Sequence, residues 1–89
     1  MNLGYEIRFS LRAAGDIKKL ARADRKKLLS VSKHIDSLSS NPFLGKTLKG
    51  SLKGVNSLRC GDIRIIYEIL PAEKITLVVR IGHRKEVYR

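Results

Sequence analysis

Val55-Asn56-Ser57-Leu58-Arg59-Cys60-Gly61-Asp62-Ile63-Arg64-Ile65-Ile66-Tyr67-Glu68-Ile69-Leu70-Pro71-Ala72-Glu73-Lys74-Ile75-Thr76-Leu77-Val78-Val79-Arg80-Ile81 is the stretch that decides the fold. Three runs rich in β-branched and apolar residues lie in it, over 55–60, 62–70 and 74–81. Cys60-Gly61-Asp62 and Pro71-Ala72-Glu73 separate them, and both breaks are short enough for hairpin turns. Three consecutive strands in a largely antiparallel sheet are therefore expected. Gly82 is expected to break the last strand and leave a polar tail.

Upstream, Tyr5-Glu6-Ile7-Arg8-Phe9 alternates apolar and polar residues and predicts a first, half-buried strand. Ser10 then stands where an N-cap belongs, ahead of a helix running to about Ala21. Leu11, Ala14, Ile17 and Ala21 share its expected buried face, and Gly15 weakens it. Asp24 is a second N-cap, opening a helix to about Ser39 whose buried stripe is Leu28, Val31, Ile35 and Leu38. So short a link between helices predicts an αα-hairpin. Ser39-Ser40-Asn41-Pro42 ends the second helix, and a Gly- and Lys-rich connection runs to Gly54. The predicted order is β-α-α-β-β-β: an α+β fold in one domain over 1–89, with a helical hairpin packed on one face of the sheet.

A chain of 89 residues supports one thin core and no deep enclosed pocket. Its charge points to a partner. Nineteen Lys and Arg against eight Asp and Glu give a net charge of +11. A surplus of that size costs stability through self-repulsion, and a phosphate backbone is the partner that uses it. Membrane surfaces and a simply solvated face explain it less well. Arg25, Lys26 and Lys27 even crowd the first turn of the second helix, where the dipole disfavours cations. Cys60 is the single cysteine, which excludes an internal disulfide and a thiolate metal cluster. His34 and His83 stand far apart and make a poor metal set, so no metal and no cofactor are expected. The start of the chain carries no signal-peptide pattern and no apolar run is long enough to span a membrane. A cytoplasmic setting is expected.

Strand parity sorts the side chains of the sheet. Ile63, Ile65, Tyr67 and Ile69 are assigned to the core, with Ile75, Leu77, Val79 and Ile81 from the last strand and Leu58 from the second. The opposite face then receives Arg59, Arg64 and Arg80, one from each strand. His83, Arg84, Lys85 and Tyr88 follow at its edge. Convergent guanidinium groups match phosphate oxygens, histidine titrates near neutrality and tyrosine offers a ring to a base, so a phosphodiester site is expected there. Tyr67, Cys60 and His34 read as packing or surface residues.

In its motifs the chain resembles the RelE-type toxins of toxin–antitoxin pairs. Three stretches carry the resemblance: Leu48-Lys49-Gly50, the hairpin Leu58-Arg59-Cys60-Gly61-Asp62-Ile63-Arg64-Ile65-Ile66-Tyr67, and Ile81-Gly82-His83-Arg84-Lys85-Glu86-Val87-Tyr88. The resemblance implies a ribosome-dependent, metal-independent endoribonuclease that cuts mRNA in the A site by 2′-OH attack. It implies that Arg64 neutralises the transition state with help from Arg84, that His83 is a general acid or base, and that Tyr88 stacks on or orients a base. Lys49, Lys53, Arg59, Arg80 and Lys85 would hold phosphates. Lys18, Lys19, Arg22, Arg25, Lys26 and Lys27 would dock on ribosomal RNA. A cognate antitoxin, the ribosome and mRNA are the implied partners, and no membrane. Val55 and Ser57 stand where some relatives carry lysines, so the general base is left unassigned. Two alternatives stay open: a ParE-type DNA gyrase inhibitor, and a noncatalytic basic nucleic-acid-binding member.

Overall fold

The computed structural model of the chain describes residues 4–47 and 54–83. Leu48-Lys49-Gly50, Lys53, Arg84, Lys85 and Tyr88 lie outside the described residues.

Both helices begin where the sequence places their caps. Ser10 Oγ accepts a hydrogen bond from the Ala13 N–H at 3.0 Å, opening α1 (Leu11–Ala23). Asp24 Oδ1 accepts from the Lys27 N–H at 3.1 Å, opening α2 (Arg25–Ser40). Each cap satisfies a donor that the helix itself cannot, and such a cap is worth about 1 kcal/mol. Asp24 is the only residue between the helices, which forces the expected hairpin.

Around the helices the sheet is larger than the sequence suggests. Five strands lie in the order β1-β5-β4-β3-β2: β1 (Glu6–Phe9), β2 (Lys46–Thr47), β3 (Val55–Cys60), β4 (Ile63–Leu70) and β5 (Ile75–His83). β1 runs parallel to β5, and every other pairing is antiparallel. The parallel pairing follows from the helices, which carry the chain from one edge of the sheet across its face. A single 3-10 turn (Pro42–Leu44) and the short β2 occupy the connection that reads as a loop.

The core lies between the hairpin and one sheet face. Val31, Ile35 and Leu38 of α2 pack with Ala13 of α1 against Cys60, Ile63, Ile65, Tyr67, Val78 and Ile81. Three expectations are corrected here. The first is the inner face of α1: Leu11 is 95% exposed, and Ala13 and Leu20 turn inward beside Ile17, which packs on the core as expected. The tie at the start of the helix explains this, because Ser10 N donates to Val78 O and Ser10 Oγ to Val79 O, fixing its rotation at the sheet edge.

The second correction concerns β5. Ile66 pairs with Arg80 and Tyr67 with Val78, so Val79 is an extra residue in a bulge. A bulge shifts the alternation by one. Thr76 and Val78 therefore face the helices, while Ile75, Leu77 and Val79 do not; Ile81, beyond the bulge, is inward as expected. Third, Gly82 does not end the strand. It pairs with Arg64, and β5 continues to His83.

Tyr67 does more than fill the core. Its hydroxyl donates to Pro42 O at 2.8 Å and accepts from the Gly45 N–H at 2.9 Å, pinning the turn that leads into β2. Burial pushes this phenol above its ordinary value of 10.0, and the Gly45 N–H partly offsets that. Gly45 passes so close that a Cβ there would lie 2.5 Å from the Tyr67 oxygen and 2.7 Å from Ser57 O. Tyr67→Phe strands a buried carbonyl and an N–H, so it should destabilise the protein by about 2 kcal/mol, read by urea unfolding. Thr76 predicts the reverse. Its hydroxyl is buried and has no hydrogen-bond partner among the described residues. Thr76→Val removes that desolvated group at constant shape and should raise stability by about 1 kcal/mol; a melting temperature unchanged or lowered would contradict this.

Candidate nucleic-acid interface

The β3–β4 hairpin builds the site. Gly61 adopts a φ of 62°, which a glycine takes without strain, and lets Gly61-Asp62 close the turn in two residues. That tight turn sets Arg59 directly opposite Arg64, and Arg64 opposite Gly82 of β5. One row across three strands therefore carries two guanidinium groups and ends on a residue without a side chain. The row lies on the face away from the helices, since the flanking Leu58, Ile63, Ile65 and Ile81 pack inward.

Like charges placed opposite one another in a sheet are destabilising. Here nothing offsets them: among the described residues no carboxylate lies within ion-pair distance of Arg59 or Arg64. Glu68 is four residues along β4 from Arg64, roughly 13 Å at strand rise. Among the described residues Arg59 Nε donates to Gly61 O, at 3.1 Å, which fixes the side chain without neutralising it. An arginine pair held in register and left unneutralised is a receptor for an anion.

Other predicted residues are placed differently. Arg80 does not join the row. Its Nε lies 3.1 Å from Asp16 Oδ2, and the same oxygen accepts the Ile81 N–H at 2.9 Å. Arg80 pairs with Ile66, two residues from Arg64 on the same face, but its guanidinium turns to Asp16, and both charged side chains are largely covered. His83 pairs with Ile63, a core residue, so parity sends it to the helix side at the end of the sheet, and not to the arginine face. There it is half exposed, with Nδ1 3.5 Å from Asp62 Oδ2. It borders an open cleft that Asp16 and Lys19 also line.

Lys27 differs from the other helix cations. It reaches across to Asp62 in a solvent-exposed ion pair, Nζ to Oδ2 2.9 Å. That hydrogen bond holds Asp62 below its ordinary 3.8 and Lys27 above its ordinary 10.5. The sign follows in both directions. What the pair contributes is present between those values, lost as pH falls through the depressed carboxyl value, and lost as pH rises through the raised ammonium one. Lys18, Lys19, Arg22, Arg25 and Lys26 stay exposed on the helical layer, opposite the arginine row. Sequence reasoning passed over Asp16 and Asp62. Asp62 carried a usable signal, being the acidic residue in the turn between the two arginines.

Among the described residues no three His, Cys, Asp or Glu side chains gather as metal ligands would. No helix there is long and apolar enough to cross a membrane.

With this geometry in place, the chain can be set beside known proteins. The model of the ParE toxin of type II toxin–antitoxin systems, parDE, matches residues 7–88, and the chain belongs to that family. Within it, the chain is a type II toxin of the RelE/ParE superfamily. It is 33% identical over 86 residues to toxin RelG of Mycobacterium tuberculosis (strain ATCC 25618 / H37Rv), covering 96% of this chain and 97% of RelG. It is 30% identical to toxin RelE of the same strain, over 96% of this chain and 87% of that protein. The fold is similar to a chain in the crystal structure of the toxin–antitoxin complex RelBE2 from Mycobacterium tuberculosis. That match has a TM-score of 0.82 at 31% identity and covers 92% of this chain and 100% of the other.

Proposed function

We propose that this toxin is an endoribonuclease that cleaves mRNA in the ribosomal A site without a metal ion. The observation that carries the reading is the Arg59–Arg64–Gly82 row: paired guanidinium groups facing away from the helices with no counter-charge among the described residues, in a basic chain whose relatives bear the names RelG and RelE. In this reading the mRNA 2′-oxygen attacks the adjacent phosphorus and the bond to the 5′-oxygen breaks. The products are a 2′,3′-cyclic phosphate and a 5′-hydroxyl. Arg64 offsets the charge that gathers on the phosphorane oxygens, and Arg59 holds a flanking phosphate. His83 follows Gly82, the end of the row that has no side chain. In this reading the phosphodiester held by Arg64 passes over that glycine, and His83 gives its proton to the departing 5′-oxygen at the rim of the sheet. Arg84 assists, Tyr88 orients a base, and Lys49, Lys53 and Lys85 hold the backbone; Arg80 leaves this set because Asp16 occupies it. The base that takes the 2′-hydroxyl proton stays unassigned.

The ribosome supplies what so small a site lacks, a substrate already held in attack geometry. Lys18, Lys19, Arg22, Arg25 and Lys26 are the docking charges for ribosomal RNA. The RelBE2 complex supports an antitoxin partner here as well. A disordered acidic segment that folds onto the basic surface would mask the arginines.

The family model bears the ParE name, which makes gyrase inhibition the competing reading. Two assays separate them. The nuclease reading expects purified protein to stop translation of a defined mRNA and to leave DNA gyrase supercoiling untouched. Blocked supercoiling with unimpeded translation would establish the other.

A further inference from the structure

Asp62 Oδ2 stands between two basic side chains brought from distant parts of the chain: Lys27 Nζ of α2 at 2.9 Å and His83 Nδ1 of β5 at 3.5 Å. We propose that Asp62 is a positioning residue for His83, accepting its Nδ1–H so that Nε2 is turned to the substrate, with Lys27 holding the carboxylate in place. The inference rests on the reading of His83 as proton donor and deepens it.

The two ring nitrogens of a histidine are not equivalent, and the hydrogen bond made by one decides which carries the proton. A general acid at Nε2 needs a partner that keeps Nδ1 protonated before and after transfer. When His83 gives its Nε2 proton to the 5′-oxygen, the neutral ring must be left with its proton on Nδ1. A carboxylate serves that purpose and an ammonium group cannot. Among the charged groups around the ring, Lys19 of α1 has no acceptor, and Asp16 of α1 is occupied by Arg80 and the Ile81 N–H. Among the described residues Asp62 is the carboxylate left.

At 3.5 Å the contact is longer than a formed hydrogen bond. Both side chains are half exposed, and catalytic contacts commonly tighten when substrate binds. Lys27 keeps the acceptor ready. Its hydrogen bond, with a smaller push from His83, holds Asp62 below the ordinary carboxylate range, so the group is ionised and accepts only. Lys27 thereby acquires a role that charge counting assigns to docking. The link also runs from the first turn of α2 to the end of β5, so it ties helix placement to imidazole orientation.

The test reads the tautomer directly, by nitrogen NMR of the full-length, ¹⁵N-labelled toxin carrying His34→Gln, so that one imidazole remains. At a pH where the ring is neutral, the Nδ1–H tautomer should predominate. Asp62→Asn should convert it mainly to Nε2–H, Asp62→Glu should restore it in part, and Lys27→Met should weaken it. Against ribosome-bound mRNA, Asp62→Asn should lower kcat about tenfold with KM unchanged, a part of the roughly 10²–10⁴ that a general acid supplies. An Nε2–H tautomer in the parent protein that Asp62→Asn leaves alone would overturn the assignment. The expected tautomers in a protein that cuts no RNA would uphold the positioning pair and overturn the nuclease reading.

Discussion

Arg64→Ala should reduce cleavage of ribosome-bound mRNA by about 10²–10³-fold, the loss expected when one preorganised donor to a transition-state oxyanion is removed. The fold should barely notice. Arg64 makes no ion pair among the described residues, and its cross-strand neighbour is Arg59. Truncating it relieves a like-charge contact while costing some strand packing, so the net change in stability should stay within about 1 kcal/mol. Thermal unfolding beside a single-turnover cleavage assay separates these effects. Equal losses of activity and of folded protein would mean that Arg64 is structural. Arg59→Ala provides the contrast: it should raise KM more than it lowers kcat, since a residue holding a flanking phosphate binds ground state and transition state alike.

The largest effect on stability is expected at Asp16. One of its oxygens accepts from Arg80 Nε and from the Ile81 N–H, and neither charged side chain is more than 18% exposed. Asp16→Ala leaves a covered guanidinium without a counter-charge and a strand N–H without an acceptor. The cost should be about 3 kcal/mol. In a domain of this size that lowers the melting temperature by about 12–24 °C. Asp16→Asn keeps an acceptor for the Ile81 N–H while losing the charge, so it should fall between parent and alanine variant. If Asp16→Ala melts with the parent protein, the tie between α1 and the β5 bulge contributes little to the fold.

How much of this was legible in the sequence depended on distance along the chain. Ser10 and Asp24 were legible as caps because a cap is decided by the three residues that follow it. The Arg59–Arg64 pair was legible too, since a two-residue turn at Gly61-Asp62 fixes the register of its hairpin. The bulge was not. Thr76, Leu77, Val78 and Val79 form a run in which either alternation buries apolar side chains, so nothing local shows that Val79 is the extra residue. That one insertion reversed the expected faces of β5 from Ile75 to Val79. The ion pair that takes Arg80 from the arginine row was hidden too, because Asp16 lies 64 positions away on α1. Nor could the sequence pair β1 with β5, because their contact joins residues about seventy positions apart and depends on where the helices carry the chain. The same limit hid the Lys27–Asp62–His83 cluster: its members come from a helix, a turn and a strand end that meet only in the folded protein. Expectations for Lys49, Lys53, Arg84, Lys85 and Tyr88 fall outside the described residues and stand as proposals.

The central claim is tested most directly by mapping 5′ ends on a defined mRNA incubated with the toxin, with and without ribosomes stalled at a known codon. The account predicts new 5′-hydroxyl ends confined to the A-site codon, present with ribosomes, nearly absent without them, and lost in Arg64→Ala. Intact mRNA under both conditions, from protein that melts as a folded domain, would contradict it.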